Sequence, residues 1–106
     1  MPKYMLKANY VGEGVKGLLK EGGSGRRDAA KKAIKSLGGK LESFHFAFGQ
    51  HDAYLIMDVP DNVAATRLAL AVGASGAVTV ETVVLMTPEE VDAACKKAPS
   101  YRAPGK

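Results

Sequence analysis

Two histidines and a scatter of ionisable side chains are the groups in this sequence whose chemistry could build a site near neutral pH. His45 comes first. It lies mid-way along Lys40 to Phe48, a stretch whose side chains alternate in character. An imidazole with an ordinary pKa of about 6.5 exchanges protons readily in that range. Strand parity sets His45 near Ser43 and Tyr54, with Asp58 or Glu81 in reach as an orienting carboxylate. One reading makes His45 catalytic, with Lys7, Asn9, Ser43, Tyr54, Asp58 and Glu81 as ligand-binding neighbours. The other makes it a hydrogen-bonded structural residue on a half-buried strand.

The remaining candidates are weaker in spacing. His45, His51 and Asp52 do not converge as metal ligands, because extended-chain parity puts positions 45 and 51 on opposite faces with a turn between them. No metal and no other cofactor is expected. Gly22-Gly23-Ser24-Gly25-Arg26-Arg27 joins flexible backbone, a helix start and two guanidinium groups. Backbone amides at a helix N-terminus favour anions, so Ser24, Arg26 and Arg27 form a candidate anion site. The run lacks the spacing of a phosphate-cradling loop, and a helix break capped by Ser24 explains it equally well. No Ser/His/Asp nucleophile set and no paired catalytic carboxylates can be defended from spacing. Cys95 is the lone cysteine, with no partner for an internal disulfide or a CxxC pair, and reads as a small side chain on a C-terminal helix.

The elements that must position these groups fit in one domain. The chain has 106 residues, with 46% apolar and 25% charged, an ordinary globular mixture that indicates neither disorder nor a fibrous repeat. Residues 1–98 read as the domain and 99–106 as a flexible tail. No apolar run has the length of a membrane span, and the start MPKYMLKANY lacks a basic region followed by an apolar stretch, so a cytoplasmic location is expected. Net charge is +4, and seven of the fifteen basic residues fall between Lys16 and Lys35, against only Glu21 and Asp28. Such a face could attract an acidic partner. No aromatic side chain interleaves it to stack on bases, so nucleic acid is not favoured, and a solvated helix surface carries such charge routinely.

Lys3 to Tyr10 alternates as a first strand. Val11 to Lys20 takes helical spacing weakened by glycines, Gly22-Gly23 interrupts it, and Ala30, Ala33, Ile34 and Leu37 resume it up to Gly38-Gly39. The pair reads as one broken helix. Lys40 to Phe48 and Ala53 to Val59 form a hairpin about Gly49-Gln50-His51-Asp52. Pro60-Asp61 opens a helix that ends at Gly73 to Gly76, and Val78 to Met86 is a fourth strand rich in β-branched residues. Thr87-Pro88-Glu89-Glu90 is a capping box for a short last helix. The order β, α, β, β, α, β with a terminal helix predicts an α+β, ferredoxin-like βαββαβ fold, with a four-stranded antiparallel sheet and its helices on one face.

A hairpin centred on Gln50-His51 pairs 48 with 53, 46 with 55 and 44 with 57. Phe44, Phe46, Phe48, Ala53, Leu55 and Met57 then share the core face, joined by Leu6, Ala8, Val80 and Val84. The far face collects Lys7, Asn9, Ser43, His45, Tyr54, Ile56, Asp58, Glu81 and Val83. Apolar surface there calls for a cover, and the economical cover is a second copy, giving a homodimer or higher oligomer with a cavity for a small molecule.

MPKYMLKANY, EGVKGLLKEGGSGRR, SLGGKLESFHFAFGQHDAYLIMDVPDN and TPEEVDAA resemble the GYD domain family of small bacterial proteins across nearly the whole chain. That family is similar to ferredoxin-like dimeric α/β-barrel proteins, among them monooxygenases, isomerases and haem-degrading enzymes, but membership implies no particular reaction. The glycine, tyrosine and aspartate that name it map onto Gly49, His51 in place of tyrosine, and Asp52, of which Gly49 and Asp52 also suit a turn. The expectation is an oligomer binding a small apolar or aromatic metabolite, with cofactor-independent isomerase or oxygenase chemistry open to it. The alternative is a non-enzymatic interaction module that docks acidic partners through the basic helix.

Overall fold

In a computed structural model describing residues 1–106, β1 (Lys3–Tyr10) leads into α1 (Glu13–Ser36), β2 (Lys40–Phe46) and β3 (Ala53–Asp58). α2 (Asn62–Ala74), β4 (Val78–Leu85) and α3 (Pro88–Lys96) complete the chain order. The strands form one four-stranded antiparallel sheet in the order β2-β3-β1-β4. This is the ferredoxin-like α+β arrangement the element order predicts.

Parity along the strands decides what is buried. Tyr4, Leu6 and Ala8 of β1 and Ala53, Leu55 and Met57 of β3 are buried, while the residues between them are only half-buried. Beneath α1 and α2, Tyr4, Leu6, Leu55 and Met57 meet Ile34, Ala64, Ala65 and Leu68. Alternation therefore sorts each strand between a packed helix side and an open side, as the period of two requires.

The β2–β3 register differs from the expected one by two residues. Phe46 faces Ala53 and Phe44 faces Leu55, and a bulge between Leu41 and Ser43 brings Leu41 opposite Met57. The cause is the connection. It spans residues 47–52, closed by Ala47 N–H donating to the Asp52 carbonyl at 2.9 Å, so β2 stops at Phe46 instead of Phe48. A shift of two keeps parity, and Phe44 and Phe46 stay on the helix side. Phe48 does not: it has left the strand with φ of 55° and is 64% exposed, a correction to its core assignment. Val84 is likewise 55% exposed, near the end of the edge strand β4.

α1 is broken where the glycines predict. Gly22 alone inside it is non-helical, with φ of 77° that a residue bearing a Cβ seldom adopts. The break lies two residues before Ser24, which is not the residue that starts the second segment. α2 is capped by Asp61, whose carboxylate accepts from Ala64 N–H at 2.9 Å. Thr87 and Glu90 make the reciprocal capping box of α3, in which no residue is buried. No helix is long and apolar enough to cross a membrane.

Candidate functional site

The open side of the sheet holds most of the residues that sequence parity groups together. Lys7 lies in register with both Tyr54 and Glu81, Ser43 faces Ile56, and His45 faces Tyr54. His45 is exposed, and the carboxylates expected to orient it are committed elsewhere. Asp58 accepts from Lys3 Nζ at 2.9 Å, and Glu42 lies 3.3 Å from the same ammonium. Those bonds, Asp58 first, hold Lys3 above its ordinary pKa. Glu81 approaches His51 instead.

His51 is the histidine with a built environment. Its Nδ1 lies 2.8 Å from Asn9 Oδ1, and Asn9 Nδ2 donates to the Gln50 carbonyl at 3.2 Å. With the Asn9 amide so oriented, Oδ1 is the acceptor and Nδ1 carries the donated proton. Nε2 then points toward Glu81 at 3.7 Å, and the ring meets Tyr54 edge-on at 5.8 Å. His45 and His51 therefore lie on the same side of the sheet, both beside Tyr54, and not on opposite faces as simple parity predicts. The left-handed turn at Phe48 and the loop after it break the alternation. No group of three His, Cys, Asp or Glu side chains is arranged to hold a metal ion.

The residues of the Gly-x-His-Asp segment act on geometry. The Asp52 carboxylate accepts from Tyr10 N–H at 2.9 Å, and its own N–H donates to the Ala8 carbonyl at 2.9 Å. Asp52 thus staples the loop to the end of β1. Gly49 donates to the His51 carbonyl at 3.2 Å, but the positive φ in the loop is carried by Phe48.

An apolar recess lies on the other side of the sheet. A cavity of about 120 Å³ sits beneath α1 and α2, and thirteen of its fourteen lining residues are hydrophobic. Small side chains make it. Ala29, Ala30 and Ala33 of α1 stand over Ala8 of β1 and Ala53 of β3, and their methyl groups are too short to fill the gap between helix and sheet. Leu6, Leu55, Leu68, Val72 and Phe44 close its walls. Its volume approaches the roughly 150 Å³ of an engineered apolar cavity that stays dry and takes up benzene.

Arg26 is the one charged group on the lining. Together with Tyr10 and Val78 it also borders a more open outer recess of about 190 Å³, shared with Glu13, Glu21 and Ser75. Gly14 lets α1 come this close, since a Cβ there would lie 1.9 Å from the Ala77 carbonyl oxygen. Arg26 Nη1 donates to Glu21 Oε2 at 3.3 Å. Burial works against the guanidinium's charge, but hydrogen bonds to Tyr10 and then Glu21 outweigh it and keep its pKa above the ordinary value.

Of the three residues grouped as an anion site, the structure turns Arg26 into this mouth, while Ser24 and Arg27 are exposed, and Arg27 pairs with Asp28 at 3.2 Å. Tyr10 and Glu21 were not among the sequence candidates. The signal for the cavity was present: alanines at 29, 30 and 33 on the helix and at 8 and 53 on the strands leave facing core positions short of volume.

Fold and cavity together define the class, a ferredoxin-like α+β domain with a small apolar chamber under its helices and an arginine at the opening. Within that class the chain belongs to the GYD domain family, whose model matches residues 4–95. Comparison with curated proteins and with solved structures returns no match.

Proposed function

We propose that this GYD-domain protein binds a small apolar or aromatic metabolite, and that the ligand sits beneath α1 and not on the open face of a single chain. The observation that carries this reading is the alanine-lined cavity, which is apolar, partly open to solvent and of the size of one ring. At its mouth Tyr10 and Arg26 are the groups that could steady a developing oxyanion, as a cofactor-independent isomerase or oxygenase would require. Native mass spectrometry of protein purified from its own cells tests the reading. A retained small molecule that is absent from the Ala30→Leu variant supports it, and equal retention by that variant would contradict it.

A second copy of the chain is the proposed cover for the open face. Met5, Tyr54, Ile56 and Val83 are half-buried there with no helix over them, between Lys7, Asn9, His45 and Glu81. These polar groups line a closed space only once the second sheet is in place. Sizing with mass detection separates the outcomes: a dimer or larger at micromolar concentration supports the cover, and a monomer rules it out.

A further inference from the structure

We propose that the ligand is an acid, a small aromatic or branched aliphatic carboxylate whose apolar body lies under α1 and whose carboxylate meets Arg26 and Tyr10. This rests on the cavity reading above and names the chemical class that the mouth selects. The inner chamber offers a ligand no charged or polar partner except at its Arg26 and Tyr10 end, so a polar group on the ligand has one favourable place to go. A charge lodged anywhere deeper would be desolvated without a partner.

The sign of that group follows from what Arg26 has left to offer. Its guanidinium has five N–H donors; Tyr10 accepts from one, and Glu21 takes another at 3.3 Å, a long contact to a carboxylate that is itself about half exposed. The remaining donors can meet a carboxylate in the two-pronged geometry that makes arginine the usual partner of that group. Tyr10 brings a hydroxyl that can donate to the same oxygens. Glu13, the other carboxylate of the outer recess, is paired with Lys16 at 3.2 Å. A cationic ligand would have to place its charge against Arg26 to bury its body, and like charges at that range repel. The Arg26–Glu21 pair acts as the latch: an incoming carboxylate competes with Glu21 for the guanidinium.

The test compares benzoate with toluene, which share a ring of the cavity's size and differ in the acid group. Amide NMR titrations of the full chain give an affinity for each probe and locate it through Ala29, Ala30, Ala33 and Ala53. Benzoate is expected to bind at least tenfold more tightly than toluene, with both moving those amides. Arg26→Gln is expected to bring the ratio of the two affinities close to one, and Glu21→Gln to tighten benzoate severalfold by releasing the latch. Equal binding of the two probes, or a preference that survives Arg26→Gln in a variant whose spectrum remains dispersed, would overturn the acid selection and leave the cavity reading standing. If neither probe moves the four amides, both readings fall.

Discussion

The two ends of the space beneath the helices are packed in opposite ways. Around the start of β1, Tyr4, Leu6, Ile34, Met57 and Val59 are each at most 2% exposed and interlock with Ala64, Ala65 and Leu68. Around its end, the buried residues are Ala8, Ala53 and Val78, and the same helices stand over a chamber that no side chain fills. Volume explains the difference. Tyr4, Leu6 and Met57 on the sheet against Ile34 and Leu68 on the helices make one end the source of stability, and alanine facing alanine leaves the other end free to receive something else.

Substitutions that trade volume between the ends test this contrast most strongly. Met57→Ala, at a site with no exposed surface, is expected to cost about 2–5 kcal/mol by denaturant unfolding. Ala53→Gly, on the lining of the chamber itself, is expected to cost at most about 1 kcal/mol, largely from backbone freedom. Equal costs would remove the contrast. Ala30→Leu puts volume where it is missing and is expected to raise stability by about 0.5–2 kcal/mol while blocking the chamber. A destabilised Ala30→Leu variant would mean that the space is needed by the fold itself.

Smaller effects sharpen the packed end. The Tyr4 hydroxyl donates to Asn62 Oδ1 at the start of α2, so Tyr4→Phe is expected to cost about 1 kcal/mol through the lost bond and the acceptor left behind. Lys3 bridges Asp58 and Glu42 at the edge of the same end, in contact with solvent, and Lys3→Met is expected to have the smallest effect. Its sign with pH is definite. Because the folded protein raises the Lys3 pKa, the contribution is whole below the ordinary lysine value of 10.5 and fades as pH climbs past it. Wild type and Lys3→Met should therefore converge in melting temperature only in strongly alkaline solution.

Much of this frame was legible in the residues. Alternation in β1 and β3, the glycine break at Gly22, the Asp61 cap and the Thr87–Glu90 capping box are local signals, and the structure places each where its chemistry predicts. The errors gather at the connection between β2 and β3. Phe48 looks like the last residue of an alternating strand, yet Asp52 draws the loop onto β1 through Tyr10 and Ala8, a contact 42 residues away in sequence, and so ends β2 two residues early. That same loop sets His51, rather than His45, among Asn9, Glu81 and Tyr54. The cavity escaped for a different reason. Periodicity marks alanine and leucine alike as core, and only the pairing of small residue with small residue across layers shows that a core position is not filled.

The proposed ligand and its acid group depend on the alanine-lined chamber being an accessible apolar space, and xenon reads that property without reference to any ligand. In crystals of the protein held under xenon pressure, one ordered atom is expected among Ala30, Ala33, Ala53 and Val72, and none in Ala30→Leu. A chamber that takes up no xenon in the wild-type protein would contradict the assignment.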